Sequence, residues 1–448
     1  MSDTPLFSAV NKILDDKRIR FYMPGHKGVM DEPFSEIAKY DITEIDGADS
    51  LYDAEEAIYK LEKEIARSYG SECSVISAGG STLCIQTMLY LVSRRGNKIV
   101  AARNIHRAAV NTMGLLDMNP VWLSQKMIDG DGSSISGIAA QPTPSQIEKA
   151  LSQNRDAAAL YITSPDYYGQ MADIAAISEI CQKYGIWLIV DNAHGAHLNT
   201  VGAQFHPIQL GATMCCDSFH KSLPCMTGSA VLHINKPNMY YKAKYAMSVF
   251  GSSSPSYPIM LSIDRALPRM SGTNEGLISL AKKISEIKEQ LMDYGYETIN
   301  KFLCDPIKLA VGFRRIGYTA EEFASYIRTK NIEPEYVSEA VAVFMMTDKN
   351  TEEEVDYLKD VLLSLPRKKA LPIVEEIYRI PKQPVSIQDA MKRPHIKLSV
   401  DEAVGRVAAR MVSKCPPGVP IVIQGEEITE KCVEKLKKAG IKKIFVLR

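Results

Sequence analysis

Residues 214–222 read Met-Cys-Cys-Asp-Ser-Phe-His-Lys-Ser. Met214–Ser218 reads as a strand, and the polar cluster with Lys221 falls where it ends. At the C-terminal edge of a parallel sheet, side chains and helix N-termini converge on a ligand. A lysine in that place can join an aldehyde cofactor such as pyridoxal 5′-phosphate (PLP) through its amine. Read alone, the tripeptide His220-Lys221-Ser222 is an ordinary surface turn.

The stretch before it changes that reading. Trp187-Leu188-Ile189-Val190-Asp191-Asn192-Ala193-His194-Gly195-Ala196-His197 is an apolar strand that runs into Asp191 and then two histidines. A carboxylate there can pair with a protonated pyridine nitrogen. The alternatives are a helix N-cap and a metal set with His194 and His197, and no third ligand lies close by at suitable spacing. Further upstream, Val75-Ile76-Ser77-Ala78-Gly79-Gly80-Ser81-Thr82 is a glycine-rich turn from strand into helix, able to hold one phosphate. It matches neither the dinucleotide nor the nucleoside-triphosphate pattern. His106 follows the candidate strand Lys98–Ala101, where a neutral imidazole can stack on a ring. Ser252-Ser253-Ser254-Pro255-Ser256-Tyr257 is a hydroxyl-rich loop before a helix. The order of these elements, each after a candidate strand, predicts one site for one small aldehyde phosphate and no metal.

Around these motifs, short β-rich runs alternate with helical patterns. The strands are Cys73–Ser77, Lys98–Ala101, Pro120–Leu123, Ala158–Thr163, Trp187–Val190, Met214–Ser218 and Ser229–Ile234. The helices include Ile58–Tyr69, Thr82–Arg94, Ser145–Ser152 and Ile174–Tyr184. That alternation predicts an α/β fold with a mostly parallel seven-stranded sheet covered by helices. Boundaries are expected at 1–45 (a helix and the loop Met23–Gly28), 46–295 (large domain) and 296–448 (a smaller C-terminal α+β domain), with a sub-boundary near 366–385. The tail reads as a helix over Val400–Ser413, a break at Cys415-Pro416-Pro417-Gly418, a strand Val419–Ile423, a helix Thr429–Gly440 and a strand Lys443–Leu447.

Composition sets the outer limits. The 448 residues carry 53 Lys plus Arg against 53 Asp plus Glu, a formal charge of zero, which argues against nucleic acid or membrane surfaces as partners. No apolar run approaches the length of a membrane span, and the polar start lacks a signal-peptide core. Nine cysteines without a CxxC pair predict neither a disulfide framework nor a zinc site, and a reducing cytoplasm.

The chain resembles the PLP-dependent Orn/Lys/Arg decarboxylases of fold type I. The resemblance rests on Met23-Pro24-Gly25-His26-Lys27-Gly28, Asp41-Ile42-Thr43-Glu44 and Gly47-Ala48-Asp49-Ser50-Leu51. It continues through Arg103-Asn104-Ile105-His106, Thr163-Ser164-Pro165-Asp166-Tyr167-Tyr168-Gly169, Asp191–His197 and Ser218-Phe219-His220-Lys221. In the tail it includes Glu402-Ala403-Val404-Gly405-Arg406, Pro416–Pro420 and Gly425-Glu426. Asn192 stands where many relatives have Glu, and Leu51-Tyr52-Asp53-Ala54 lacks the histidine-bearing sequence usual in relatives.

The resemblance implies the cofactor PLP, a basic amino acid as substrate, cytoplasmic polyamine biosynthesis and a homodimer with shared active sites. It makes Lys221 the Schiff-base lysine, Asp191 the pyridinium partner and His106 the imidazole on the cofactor face. Gly80, Ser81, Thr82, Ser218 and His220 surround the phosphate, Ala193 and His194 line the cofactor, and Ser253 belongs to a loop that reaches the neighbouring subunit. Lys221 or His220 returns a proton to the α-carbon. His26, Asp49, Glu335 and Glu426 are the candidates for the substrate, with Asp46 and Asp53 as further acids. The expected reaction is decarboxylation of arginine, lysine or ornithine through external aldimine and quinonoid intermediates. The rivals are an aminotransferase or aldolase reaction and a non-catalytic relative with a regulatory role.

Overall fold

A computed structural model describes residues 4–124, 134–270, 272–300, 303–372, 380–413 and 420–448. The Cys415–Gly418 break and Val419 lie outside the described residues. Seven strands form the main sheet: β1 (Cys73–Ser77), β2 (Lys98–Ala102), β3 (Asn119–Leu123), β4 (Ala159–Thr163), β5 (Trp187–Asp191), β6 (Met214–Asp217) and β7 (Ala230–Ile234). Their order is β1-β7-β6-β5-β4-β2-β3. Pairings β2–β3, β2–β4 and β5–β6 are parallel, and β7 runs antiparallel to both β1 and β6. This is the mostly parallel α/β sheet expected from the alternation of strands and helices. The strands β4 to β7 are buried at almost every position, which is why they read as continuous apolar runs.

The helices, in chain order, begin with α1 (Pro5–Asp15), α2 (Ser35–Tyr40), α3 (Ala57–Tyr69), α4 (Gly80–Ser93), α5 (Arg107–Leu115), α6 (Pro144–Gln153) and α7 (Ile174–Tyr184). Then come α8 (Leu198–Val201), α9 (Phe219–Ser222), α10 (Tyr240–Phe250), α11 (Tyr257–Ala266), α12 (Glu275–Tyr294), α13 (Ala320–Thr329), α14 (Glu352–Ser364), α15 (Ile387–Lys392) and α16 (Glu430–Lys438). Their ends follow local chemistry. Thr143 with Gln146, Thr319 with Glu322 and Thr351 with Glu354 form reciprocal capping boxes at α6, α13 and α14. Among the described residues no helix is long and apolar enough to cross a membrane, and the described cysteines are all free.

Two compact units divide the chain. The first joins Met1–Arg95 with Trp187–Asn274 and holds β1, β5, β6 and β7. In it α4 is apolar nearly all round, because α10 covers it on one side and β6 and β7 on another. The second joins Gly96–Ile186 with Glu275–Arg448. It holds β2, β3 and β4, a four-stranded antiparallel sheet, and two short antiparallel pairs. The sequence boundaries at 45/46 and 295/296 are a different cut, since 46–295 takes strands from both units.

The C-terminal segment differs from its sequence reading at two places. Val400–Ser413 is not a helix. A 3-10 turn at Asp401–Ala403 is followed by Gly405 at φ +75° and extended chain. There Ala408 N–H donates to the Glu426 carbonyl, Ile428 N–H to the Arg406 carbonyl and Ala409 N–H to the Phe445 carbonyl. These long-range pairings replace a helical ladder. His395–Ser399, not anticipated as a strand, pairs antiparallel with the C-terminal strand Lys443–Leu447. Around them Val400, Ala403, Val422, Ile428, Leu436 and Val446 form a small core of their own.

Candidate active site

In the first unit, β5 and β6 run parallel with Asp191 in register with Cys216. Two antiparallel steps, β6 to β7 and β7 to β1, make β1 parallel to them as well. The chain therefore leaves all three strands at one edge of the sheet. At that edge stand Asp191, the turn Ser218–Lys221 and the turn Gly79–Thr82.

Lys221 sits on the four-residue helix α9, half-buried, with Nζ 3.0 Å from His194 Nε2. His194 is buried after β5, and the chain leaves it through a tight bend at Gly195, whose N–H donates to the Asn192 carbonyl at 2.8 Å. A Cβ on Gly195 would collide with Asn192 Oδ1 and Leu198, so the close approach requires glycine. Asp191 is buried at the end of β5, where its Oδ1 accepts from Ala193 N–H at 3.2 Å and from Cys216 Sγ at 3.7 Å. His220 Nδ1 donates to the Ser229 carbonyl at 3.0 Å.

These residues fit a pyridine ring with an aldehyde and a phosphate. Ser218 Oγ is fully buried and has no hydrogen-bond partner among the described residues, so a hydroxyl is held ready for an acceptor. The 14-residue helix α4 begins at Gly80, φ +68°, with Gly79 as N-cap and no side-chain cap. Its first turn carries Ser81 and Thr82 at the positive end of the helix dipole, a place suited to an anion, although the Gly80 N–H itself donates to the Gly228 carbonyl at 2.7 Å. Ser252–Ser254 form an exposed loop, tied down by Tyr52 Oη donating to the Ser252 carbonyl.

Behind the edge lies a cluster that sequence reading missed. Asp217 accepts from His206 Nε2 at 2.9 Å and from Asn192 Nδ2 at 2.7 Å, with His233 Nε2 at 3.4 Å. Ile208 N–H donates to His206 Nδ1, which leaves the proton on Nε2. Tyr69 stacks on His233 with ring centroids 4.3 Å apart. The three groups are close enough together to hold a metal ion, yet each is already engaged by protein donors and acceptors. Burial alone would raise the Asp217 carboxyl, but the two imidazoles outweigh it and hold it well below the usual range. Burial also pushes the His233 pKa down. No spacing in the sequence joins residues 206, 217 and 233. Burial likewise pushes the Cys215 and Cys216 thiols far up and Cys225 up to about 12, so all three stay protonated packing groups.

The other sequence candidates have separate fates. His106, in the second unit, is exposed and caps α5, its Nδ1 accepting from Ala108 N–H. His26 Nδ1 accepts from Gly28 N–H and Nε2 donates to Asp41 at 3.2 Å. Glu335 is exposed and accepts from Tyr167 Oη at 2.5 Å. Two candidates are already engaged by the protein. The Asp49 carboxylate accepts the N–H groups of Ser50, Glu55, Glu56 and Ile58 at the start of α3. Glu426 is fully buried and bound at both oxygens by Arg103.

Comparison with known proteins matches two family models: "Orn/Lys/Arg decarboxylase, major domain" over residues 4–294 and "Orn/Lys/Arg decarboxylase, C-terminal domain" over residues 375–439. The chain is 28% identical to an arginine decarboxylase of Bacillus anthracis, across 97% of this chain and 93% of that one. It is 27% identical to the uncharacterized protein YaaO of Bacillus subtilis, across 97% and 94%. Among solved structures it resembles the constitutive lysine decarboxylase of Escherichia coli, with TM-score 0.78 and 17% identity over all of this chain and 82% of that one. That likeness shows the fold, which is fold type I.

Proposed function

We propose that this chain, which belongs to the Orn/Lys/Arg decarboxylase family, removes the α-carboxylate of a basic amino acid as CO2 with PLP as cofactor. The observation that carries the reading is Lys221 Nζ, 3.0 Å from His194 Nε2, on the edge of the sheet that also bears Asp191. PLP, when bound, supplies a sink for the electron pair left as the carboxylate departs.

The rest falls to the chain's own residues. Lys221 is the amine that holds the cofactor's aldehyde carbon. Ser218 and the first turn of α4 hold the phosphate. Asp191, buried and acceptor-only when ionised, keeps a proton on the ring nitrogen. We assign His106 to the face of the ring on the family likeness of Arg103–His106. Once its amine is released, Lys221 delivers a proton to the α-carbon, and His194 Nε2 orients that amine. The substrate's distal cation needs a carboxylate. With Asp49 and Glu426 otherwise engaged, Glu335 is our choice. Relatives named arginine decarboxylase put arginine first among the substrates. Free cysteines throughout the described residues support a cytoplasmic location.

The test is CO2 and amine release by the PLP-loaded protein from arginine, lysine and ornithine, each alone. We expect one of them to be turned over, and Glu335→Gln to raise its KM about tenfold through loss of the distal ion pair. A visible cofactor band without CO2 from any of the three would move the reading to another PLP reaction. No band at all would overturn it.

We also propose that two copies pair. Tyr241, Tyr245 and Val249 of α10 are exposed at a spacing of four, one face of a helix, and Phe21 is 91% exposed. A second copy covers such apolar surface. Light scattering is expected to return twice the chain's 49.7 kDa; a monomer at micromolar concentration would refute the pairing.

A further inference from the structure

The pairing of Arg103 with Glu426 joins residues 323 positions apart and is fully buried on both sides. Arg103 Nη1 and Nη2 donate to the two carboxylate oxygens at 2.6 and 2.7 Å, and the guanidinium lies over Trp122, 5.2 Å from the ring centre. Glu426 is itself fixed by its own turn. Its Oε2 accepts from Ile423 N–H at 2.7 Å, and its N–H donates to the Ile423 carbonyl. A two-point bond between a planar fork and a carboxylate sets direction as well as distance.

What that bond holds is the short connection from β2 to α5. Arg103 follows β2 directly, Ile105 N–H donates back to its carbonyl at 2.9 Å, and His106 is the N-cap of α5. The same C-terminal region grips the rest of α5. α15 packs against it, so that a Cβ on Gly114 would come within 2.8 Å of Ile387. Gln424 Nε2 donates to Asn111 Oδ1 at 3.2 Å. α15, Gln424 and Glu426 therefore hold α5 and the turn that leads into it, and the only charged contact among those named is the one beside His106.

We propose that Glu426 is a positioning residue: by fixing Arg103 it sets the turn that presents His106. The inference rests on the reading that His106 faces the cofactor. Glu426 touches no substrate in this scheme, and its charge is neutralised by Arg103. Glu426→Gln keeps the shape but cannot satisfy both arms of the guanidinium. Arg103→Met with Glu426→Met removes both charges at once and keeps the volume apolar, so the chain folds even if the single variant does not.

Two measurements on the full chain decide it. The first is amide hydrogen exchange without PLP. In both variants the peptides spanning 103–115 should exchange about tenfold faster, with β5 to β7 unchanged. The second is visible circular dichroism and kinetics with PLP loaded. The dichroism should fall to the level of His106→Ala, and kcat should drop about 10- to 100-fold with little change in KM. Adding His106→Ala to Glu426→Gln should cost nothing more. Exchange and dichroism at wild-type levels would overturn the proposal, as would faster exchange spread over the whole second unit. A wild-type protein that binds no PLP would overturn the cofactor reading and the role toward it, and the exchange arm would still report the clamp separately.

Discussion

Lys221→Ala is expected to lower kcat for CO2 release by about 10³-fold or more, because one side chain serves as both holder and proton donor. The amine lies at the exit of β6, where backbone geometry presents it, and His194 Nε2 at 3.0 Å keeps it aimed. Alanine removes the covalent hold and the proton source while leaving the four-residue α9 intact, since Lys221 is only half-buried. The variant should fold, lose the visible cofactor band and retain non-covalent affinity through Ser218 and α4. His194→Ala should cost less, because it removes only the orienting partner. Retention of more than about a tenth of the wild-type rate in Lys221→Ala would sink the assignment, because loss of a group in both roles costs at least about 10².

Lys244→Met should destabilise the protein by about 3–5 kcal/mol, the range for removing one partner of a buried ion pair. Lys244 and Glu62 are 2% and 1% exposed, with Nζ 2.5 Å from Oε1. Nζ also donates to the Leu51 carbonyl at 2.7 Å, and Glu62 accepts from Tyr240 Oη and Ile76 N–H. Burial pushes the Glu62 carboxyl up and the Lys244 ammonium down, and each group's charge and hydrogen bonds work against the shift of the other. Without the lysine, Glu62 takes a proton or stays charged and unpaired, and either outcome costs stability. The network ties α10, α3 and β1 to the segment ending at Leu51, so the loss is shared by the whole first unit. Urea unfolding of Lys244→Met and of the double variant with Glu62→Met measures it. The double variant should recover most of the loss, as an apolar pair of similar volume does. A loss in the single variant below about 1 kcal/mol, the value of an exposed pair, would refute the buried-pair account.

The main sheet and its exit edge were legible in the residues because both depend on neighbours in sequence. Apolar runs of four residues at β2, β4 and β5, and the shorter or interrupted ones at β1, β6 and β7, fit strands buried between helix layers, and glycine or a polar cluster marks where each ends. Lys221, Asp191 and the turn into α4 stand directly after such runs, so their place at one edge follows from strand alternation alone. The fate of other polar side chains depended on partners far along the chain. Asp49 has the residue type to bind a cation, but the start of α3 claims its oxygens. Glu426 looks equally available until Arg103, 323 residues earlier, is brought to it. His206, Asp217 and His233 become one buried cluster only because β6 pairs with β7 and the chain after β5 folds back on them. Val400–Ser413 carries a helical reading locally and is drawn into extended pairing by 426–428 and Phe445. A strand's character is encoded in consecutive residues, whereas a buried polar group takes whatever partner the closed chain supplies, and only the tertiary structure decides which one.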